Sequence, residues 1–228
     1  MRRVWYGVAM SLDGYIAGPK GEYDWIVMDP DIDFEALMGR FDTFLVGRKT
    51  YEMMAAAKGG GRHKGIETVV FSRTLDPADH PGLRIVSRDA RAAVLALKEK
   101  PGKEIALFGG GELFRSLLAE GVVDAVEVAV IPVLLGGGIP LLPSPSSRAT
   151  LRLTGHRVYA KTGTVLLQYE VVVPGAPRRR SPAKRVKGPG SRGRMRRQER
   201  ATPARGSHRG RHTPLLHRSA DVRSAARP

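Results

Sequence analysis

The chain has 228 residues, 42% of them hydrophobic, a formal net charge of +16 and no cysteine. That length and apolar content fit one domain with at most an appendage, and the missing cysteine excludes a disulfide framework and any thiolate metal site. The charge sits at one end: residues 1–173 carry 21 Lys and Arg against 20 Asp and Glu, a net +1, whereas residues 174–228 carry 17 against 2, a net +15.

The front of the chain therefore reads as a nearly neutral globular domain, with nothing in its charge that calls for a nucleic-acid partner. No apolar run reaches the roughly 18 residues needed to span a bilayer. The N-terminal stretch lacks the length and small-residue cleavage site of a signal peptide, and Asp13 interrupts it, so a cytoplasmic protein is expected.

In chain order, Val4 to Met10 is a β-rich run stopped by the turn signal Ser11-Leu12-Asp13-Gly14, and Tyr15-Ile16-Ala17 follows as a short strand. Phe34, Leu37, Met38 and Phe41 recur at helical spacing behind Asp33, a plausible N-cap. Residues 43–46 form a buried strand ended by Gly47, and a helix opens near Lys49 or Thr50 and breaks at Gly59-Gly60-Gly61. Strands are predicted over 68–71 and 83–86, then a helix capped by Asp89 that carries Val94, Leu95 and Leu97. Residues 104–108 are another buried strand, followed by Gly109-Gly110-Gly111 and a helix with Leu113, Phe114, Leu117 and Leu118 on one stripe. Residues 124–130 alternate, as do 151–153 and 165–173, which predicts a closing antiparallel pair. The order predicts an α/β fold: a mixed, mostly parallel sheet with an antiparallel edge and helices on both faces. From Pro174 onward large apolar residues nearly vanish, so 174–228 reads as a basic, disordered tail beyond a domain over 1–173.

Three junctions, two of them marked by glycine, lie where a strand is expected to pass into a helix, the place where open α/β sheets bind ligands and where free helix N–H groups suit phosphate. In the first, Gly47 allows close backbone approach, Thr50 offers a hydroxyl and Arg48 a fixed cation; a capped helix with solvated charges is the alternative. In the second, Ser72 and Arg73 end a buried strand, either as a plain turn or as a 2′-phosphate site. The third, Gly109-Gly110-Gly111-Glu112-Leu113, would admit a pyrophosphate although it is not the GxGxxG fingerprint. A fourth feature, the apolar glycine loop over 131–141, is either a wall of the site or dimer surface or a tight crossover.

Taken together, VAMSLDGYIAG (8–18), LVGRKTYE (45–52), VVFSR (69–73), FGGGELF (108–114) and VDAVEVAVIPVLLGGGIPLL (123–142) resemble the dihydrofolate-reductase-like superfamily. The branch they resemble most is the C-terminal reductase domain of riboflavin biosynthesis and its stand-alone relatives. The resemblance spans 1–173 and implies a three-layer dihydrofolate-reductase-like fold, NADPH as hydride donor, a homodimer and a small-molecule substrate. It implies that Ala9 and Ile16 hold the nicotinamide, that Gly47, Arg48 and Thr50 meet the adenosine phosphate and pyrophosphate, and that Ser72 and Arg73 lie on the 2′-phosphate side. It further implies that Gly109, Gly110 and Gly111 turn around the pyrophosphate, with Glu112 and Leu113 opening the helix behind.

For the proton donor, dihydrofolate reductases use an acid on the first helix. Asp33 is the first choice here and Asp31 the next, among Asp29, Asp31, Asp33 and Glu35; Asp13 is a further candidate, structural or substrate-orienting, and Trp25 a candidate stacking platform or core residue. The implied reaction is hydride transfer to a C=O or C=N carbon of a small heterocycle or phosphosugar, of the 5-amino-6-(5-phosphoribosylamino)uracil reductase type. The alternatives are dihydrofolate reduction proper and nucleotide binding without turnover. The tail offers at most salt-sensitive, sequence-blind attraction to nucleic acid. No metal site and no membrane partner is expected.

Overall fold

In the computed structural model, residues 1–56 and 65–172 are described. The predicted helix break at Gly59–Gly61 and the basic tail lie outside them. Among the described residues ten strands and four α-helices alternate much as the hydrophobic pattern requires. They are β1 (Val4–Ser11), β2 (Tyr15–Ala17), α1 (Phe34–Met38), β3 (Phe41–Gly47), α2 (Arg48–Ala56), β4 (Glu67–Phe71) and β5 (Arg84–Val86). There follow α3 (Ala90–Glu99), β6 (Glu104–Gly109), α4 (Gly111–Ala119), β7 (Ala125–Ile131), β8 (Ile139–Pro140), β9 (Leu151–Tyr159) and β10 (Thr164–Val171).

Eight strands form one sheet in the order β5-β4-β3-β6-β1-β7-β10-β9, and β2 pairs with β8 in a separate two-stranded ribbon. The six strands from β5 to β7 run parallel; β10 is antiparallel to both β7 and β9, the expected antiparallel edge. Val94 and Leu97 of α3 and Phe114 and Leu117 of α4 pack with Tyr6, Leu45, Ile105 and Leu107 on one face. Met54 and Tyr51 of α2 and Met38 of α1 pack with Phe44, Val46, Val70 and Ala106 on the other. Helices on both faces are what a parallel sheet needs to keep its strands dry.

One predicted helix is shorter than its spacing suggested. The stripe Phe34, Leu37, Met38, Phe41 is cut after five residues: Gly39 closes α1, and Phe41 already belongs to β3. No residue of α1 is buried, and Phe34 is 43% exposed. A helix this short cannot hold itself together by backbone bonds, and Asp33 supports it by accepting from the Ala36 N–H (2.9 Å).

Candidate functional site

The parallel strands all end at the same edge of the sheet, and two neighbouring strands there send their helices to opposite faces. β3 leads into α2 on one side and β6 into α4 on the other, which opens a crevice between them. Val46 is level with Gly109 and Gly47 with Phe71. The two helix starts meet closely. A Cβ placed on Gly109 would stand 3.3 Å from the Thr50 methyl carbon, one on Gly110 3.5 Å from Thr50 Oγ1, and one on Gly47 3.9 Å from Leu113 Cβ. Gly110 is the N-cap of α4 at φ 38°, a conformation that favours glycine, and no side chain caps the helix. Gly47, Thr50, Gly109, Gly110 and Leu113 are thus gathered at one place, with the uncapped N–H groups of α4 beside the Thr50 hydroxyl.

The remaining predicted residues of these junctions divide. Arg48 opens α2 on the exposed surface and pairs with Glu52 (2.8 Å). Gly111 is buried, and a Cβ there would meet Pro140 O at 2.9 Å, so close packing is what requires a glycine. Glu112 is exposed and bonds Arg115. The Ser72 hydroxyl oxygen accepts from the N–H groups of Thr74 (3.2 Å) and Leu75 (3.0 Å), which closes the turn after β4. Arg73 beside it is exposed and has no ion pair among the described residues. Ala9 is half-buried near the end of β1, level with Ala129, and Ile16 is half-buried in β2.

The two motifs Ser11-Leu12-Asp13-Gly14 and Pro132 to Gly138 form one clasp. Asp13 accepts from the N–H of Leu135 (3.1 Å), the N–H of Gly136 (2.7 Å) and the Ser11 hydroxyl (2.6 Å). The Leu12 N–H donates to Val133 O (2.9 Å), and the Leu141 N–H to Gly14 O (3.0 Å). The Ser11 hydroxyl above all, against the opposing effect of burial, and then the Gly136 and Leu135 N–H groups hold the Asp13 carboxyl below its ordinary value of 3.8. A carboxylate so engaged is a poor proton donor, and the structure gives Asp13 the work of a staple.

The first-choice acids are engaged too. Asp33 caps α1, and Asp31 pairs with Lys161 in the β9–β10 turn (2.7 Å). Asp29 is 2% exposed; burial raises its pKa, but the Asp31 N–H, the Thr162 hydroxyl and N–H, and the Lys161 charge outweigh that and lower it overall. Asp29 and Asp31 thus fasten the segment before α1 to the last hairpin. The Trp25 indole N–H donates to Glu22 O (3.2 Å), and the ring is half-buried.

These lowered values set a sign. A group whose pKa falls on folding stabilises the fold above its ordinary value and loses that contribution as pH drops through the lowered one. Asp13 and Asp29 both behave so, as does Glu170 through its hydrogen bond to Arg152, against the effect of burial, and through the charge of Arg3. Urea midpoints measured between about pH 6 and 3 should fall steeply below about pH 4, and Asp13→Asn should flatten that limb. An unchanged acid limb in the variant would show that the clasp is not ionised.

Two residues that the sequence reading passed over stand on the α1–α2 face. Gly7, in the middle of the central strand β1, is exposed, and a Cβ there would meet nothing within 4 Å. Directly across from it on β7 is Glu127, 8% exposed, which bonds Arg40 (3.3 Å) and Gln168. Their signals were a glycine inside a strand and one acid within the apolar alternation 126–130.

Among the described residues no cluster of His, Asp and Glu could hold a metal ion, and no helix is long and apolar enough to cross a membrane. The fold is shared with dihydrofolate reductase from Enterococcus faecalis complexed with NADP(H), at a TM-score of 0.54 and 19% identity over 74% of this chain and 96% of that one. A structure ascribed to a riboflavin biosynthesis protein of Shewanella sp. PV-4 is 25% identical, with a TM-score of 0.64, over 76% of this chain and 100% of that one. Protein YyaP of Bacillus subtilis (strain 168) is 32% identical over 74% of this chain and 94% of its own length. The model of the RibD C-terminal domain matches residues 2–165, so the chain belongs to the RibD C-terminal domain family.

Proposed function

We propose that this protein is an NADPH-dependent reductase that delivers a hydride to a C=O or C=N carbon of a small heterocycle or phosphosugar, as the riboflavin-pathway reductases of its family do. The observation that carries the reading is the meeting of Thr50 with the Gly109–Gly110 turn at the uncapped start of α4. A side chain on either glycine would occupy the cradle, the donors there are N–H and O–H groups, and two helix starts lend positive potential; this is the donor set a pyrophosphate requires. Thr50 and the α4 N-terminus would hold the pyrophosphate, Arg73, which makes no ion pair among the described residues, the 2′-phosphate, and Ala9 and Ile16 the ring at the end of β1. NADPH, when bound, supplies the hydride. The chain's part is to orient the acceptor beside β1, exclude water, and allow a proton to reach the product from a carboxyl group or water. We also propose a homodimer, supported by β9, which is an edge strand among the described residues and where Leu153 is 51% and Val158 63% exposed.

The test is a melting comparison with NADPH and NADH. At a hundredfold excess over its Kd, NADPH should stabilise the fold by about 2.7 kcal/mol. NADH should do less, and Arg73→Ala should erase the difference between them. No shift with either form of NADP would end the reading.

A further inference from the structure

A parallel sheet is normally covered on both faces, yet the middle of the central strand is bare at Gly7. The cover stops short because α1 is a five-residue helix with no buried residue, and its Met38, like Trp5, is only partly buried against the cluster of Phe41, Phe44 and Val46. Two rows cross the exposed floor. In the first, Gly7 lies level with Glu127 of β7, and Glu127 with Gln168 of β10. Phe108 of β6, one position beyond the Tyr6–Leu107 pair, borders the other side; it is 36% exposed and stacked on Phe44 (4.9 Å). In the second row Ala9 lies level with Ala129, and Ala129 with Leu166. Small residues on neighbouring strands, an aromatic edge on one side and a carboxylate on the other make a floor for a flat ring.

The carboxylate is held in a fixed pose. Both Arg40 and Gln168 donate to Oε2 of Glu127, and no described group donates to Oε1. Arg40 cannot serve as a free cation for a ligand, since it also faces Glu104 (3.7 Å) and lies over the rings of Trp5 (4.6 Å) and Phe41 (5.1 Å). The open acceptor at this wall is therefore Oε1, which favours N–H donors and disfavours anions.

We infer that Glu127 is the specificity-determining residue of a trough floored by Gly7, where its Oε1 takes the amino-bearing edge of a planar heterocycle. This deepens the reductase reading and rests on it. Any anionic group of the substrate must lie away from the Glu127 wall. The acid that recognises substrate then comes from the sheet, in place of the first helix.

The full chain would be titrated calorimetrically with 2,4,6-triaminopyrimidine and with orotate, an anionic pyrimidine of similar size, and NADP+ affinity measured on the same samples. Triaminopyrimidine should bind at least about tenfold more tightly than orotate, and Glu127→Gln should weaken it about tenfold or more. Gly7→Leu should abolish its binding and leave NADP+ affinity intact; the side chain enters open space, so that variant should fold even if Glu127→Gln does not. Equal or tighter binding of orotate, no saturable binding of triaminopyrimidine up to about 10 mM, or unchanged binding in folded Gly7→Leu would overturn the inference. Selective triaminopyrimidine binding in a protein that does not bind NADP+ would keep the trough and refute the reductase reading.

Discussion

Replacing Gly110 with aspartate should lower NADPH affinity by about a hundredfold or more, equivalent to about 2.7 kcal/mol of binding free energy. Gly110 caps α4 with φ 38° and ψ 147°, and its missing Cβ leaves the space next to Thr50 Oγ1 open. An aspartate there puts a negative charge where the pyrophosphate is proposed to sit, and its carboxylate satisfies the helix N–H groups that the phosphates would otherwise meet. The fold should survive. A new N-cap contributes about 1 kcal/mol, against a strain of about 1–3 kcal/mol for a side chain at this backbone conformation. Gly110→Ala isolates the charge, because it carries the strain and the Cβ without the carboxylate, and should weaken NADPH less than Gly110→Asp does. Fluorescence titration of NADPH, with a melting curve for each variant, makes the check. A folded Gly110→Asp protein with wild-type affinity would remove the cofactor site from this crevice.

Gly138→Ala should cost roughly 2–4 kcal/mol of stability and disturb the end of the crevice where the nicotinamide ring is proposed to lie. Gly138 has φ 149°, and a Cβ there would fall 2.2 Å from Ala17 O and 3.2 Å from Ala17 C, both backbone atoms that no rotamer change can move. The next residue, Ile139, pairs with Ala17 in the β2–β8 ribbon, so the methyl group would prise that ribbon apart. β2 carries Ile16, and the Asp13 clasp lies a few residues away, so NADPH affinity should fall together with the urea midpoint. Gly137→Ala is the matched control: its Cβ would meet nothing within 4 Å, and the change should stay within about 0.5 kcal/mol. Similar losses at both positions would show that the loop tolerates no side chain for reasons other than this contact.

Much of this molecule was legible in one dimension, and the residues that were not have something in common. The apolar runs before Gly47 and Gly109 read as buried strands because parallel strands are dry on both faces, and the stripe Phe114–Leu117 read as a helix because one face alone enters the core. The glycines at the strand ends likewise announced turns. Helix α1 is shorter than its spacing predicts, since Phe41 fits the helical period but belongs to the next strand. The acids Asp31 and Asp33 lie near the place where the resemblance puts a proton donor, yet Asp33 is used as a cap and Asp31 in an ion pair with Lys161, 130 positions away. A carboxylate's role depends on which donors reach it, and those donors come from distant segments.

The sequence by itself determined where most of the strands and helices lie, where the chain turns, and that a neutral domain precedes a basic stretch, because these follow from local periodicity, glycine placement and charge. Only the tertiary structure decided that Thr50 meets the Gly109–Gly110 turn, that Asp13 staples the loop at Leu135 and Gly136, and that Glu127 flanks a bare Gly7. Each of these depends on the order and register of strands in the sheet, which no short stretch of residues encodes.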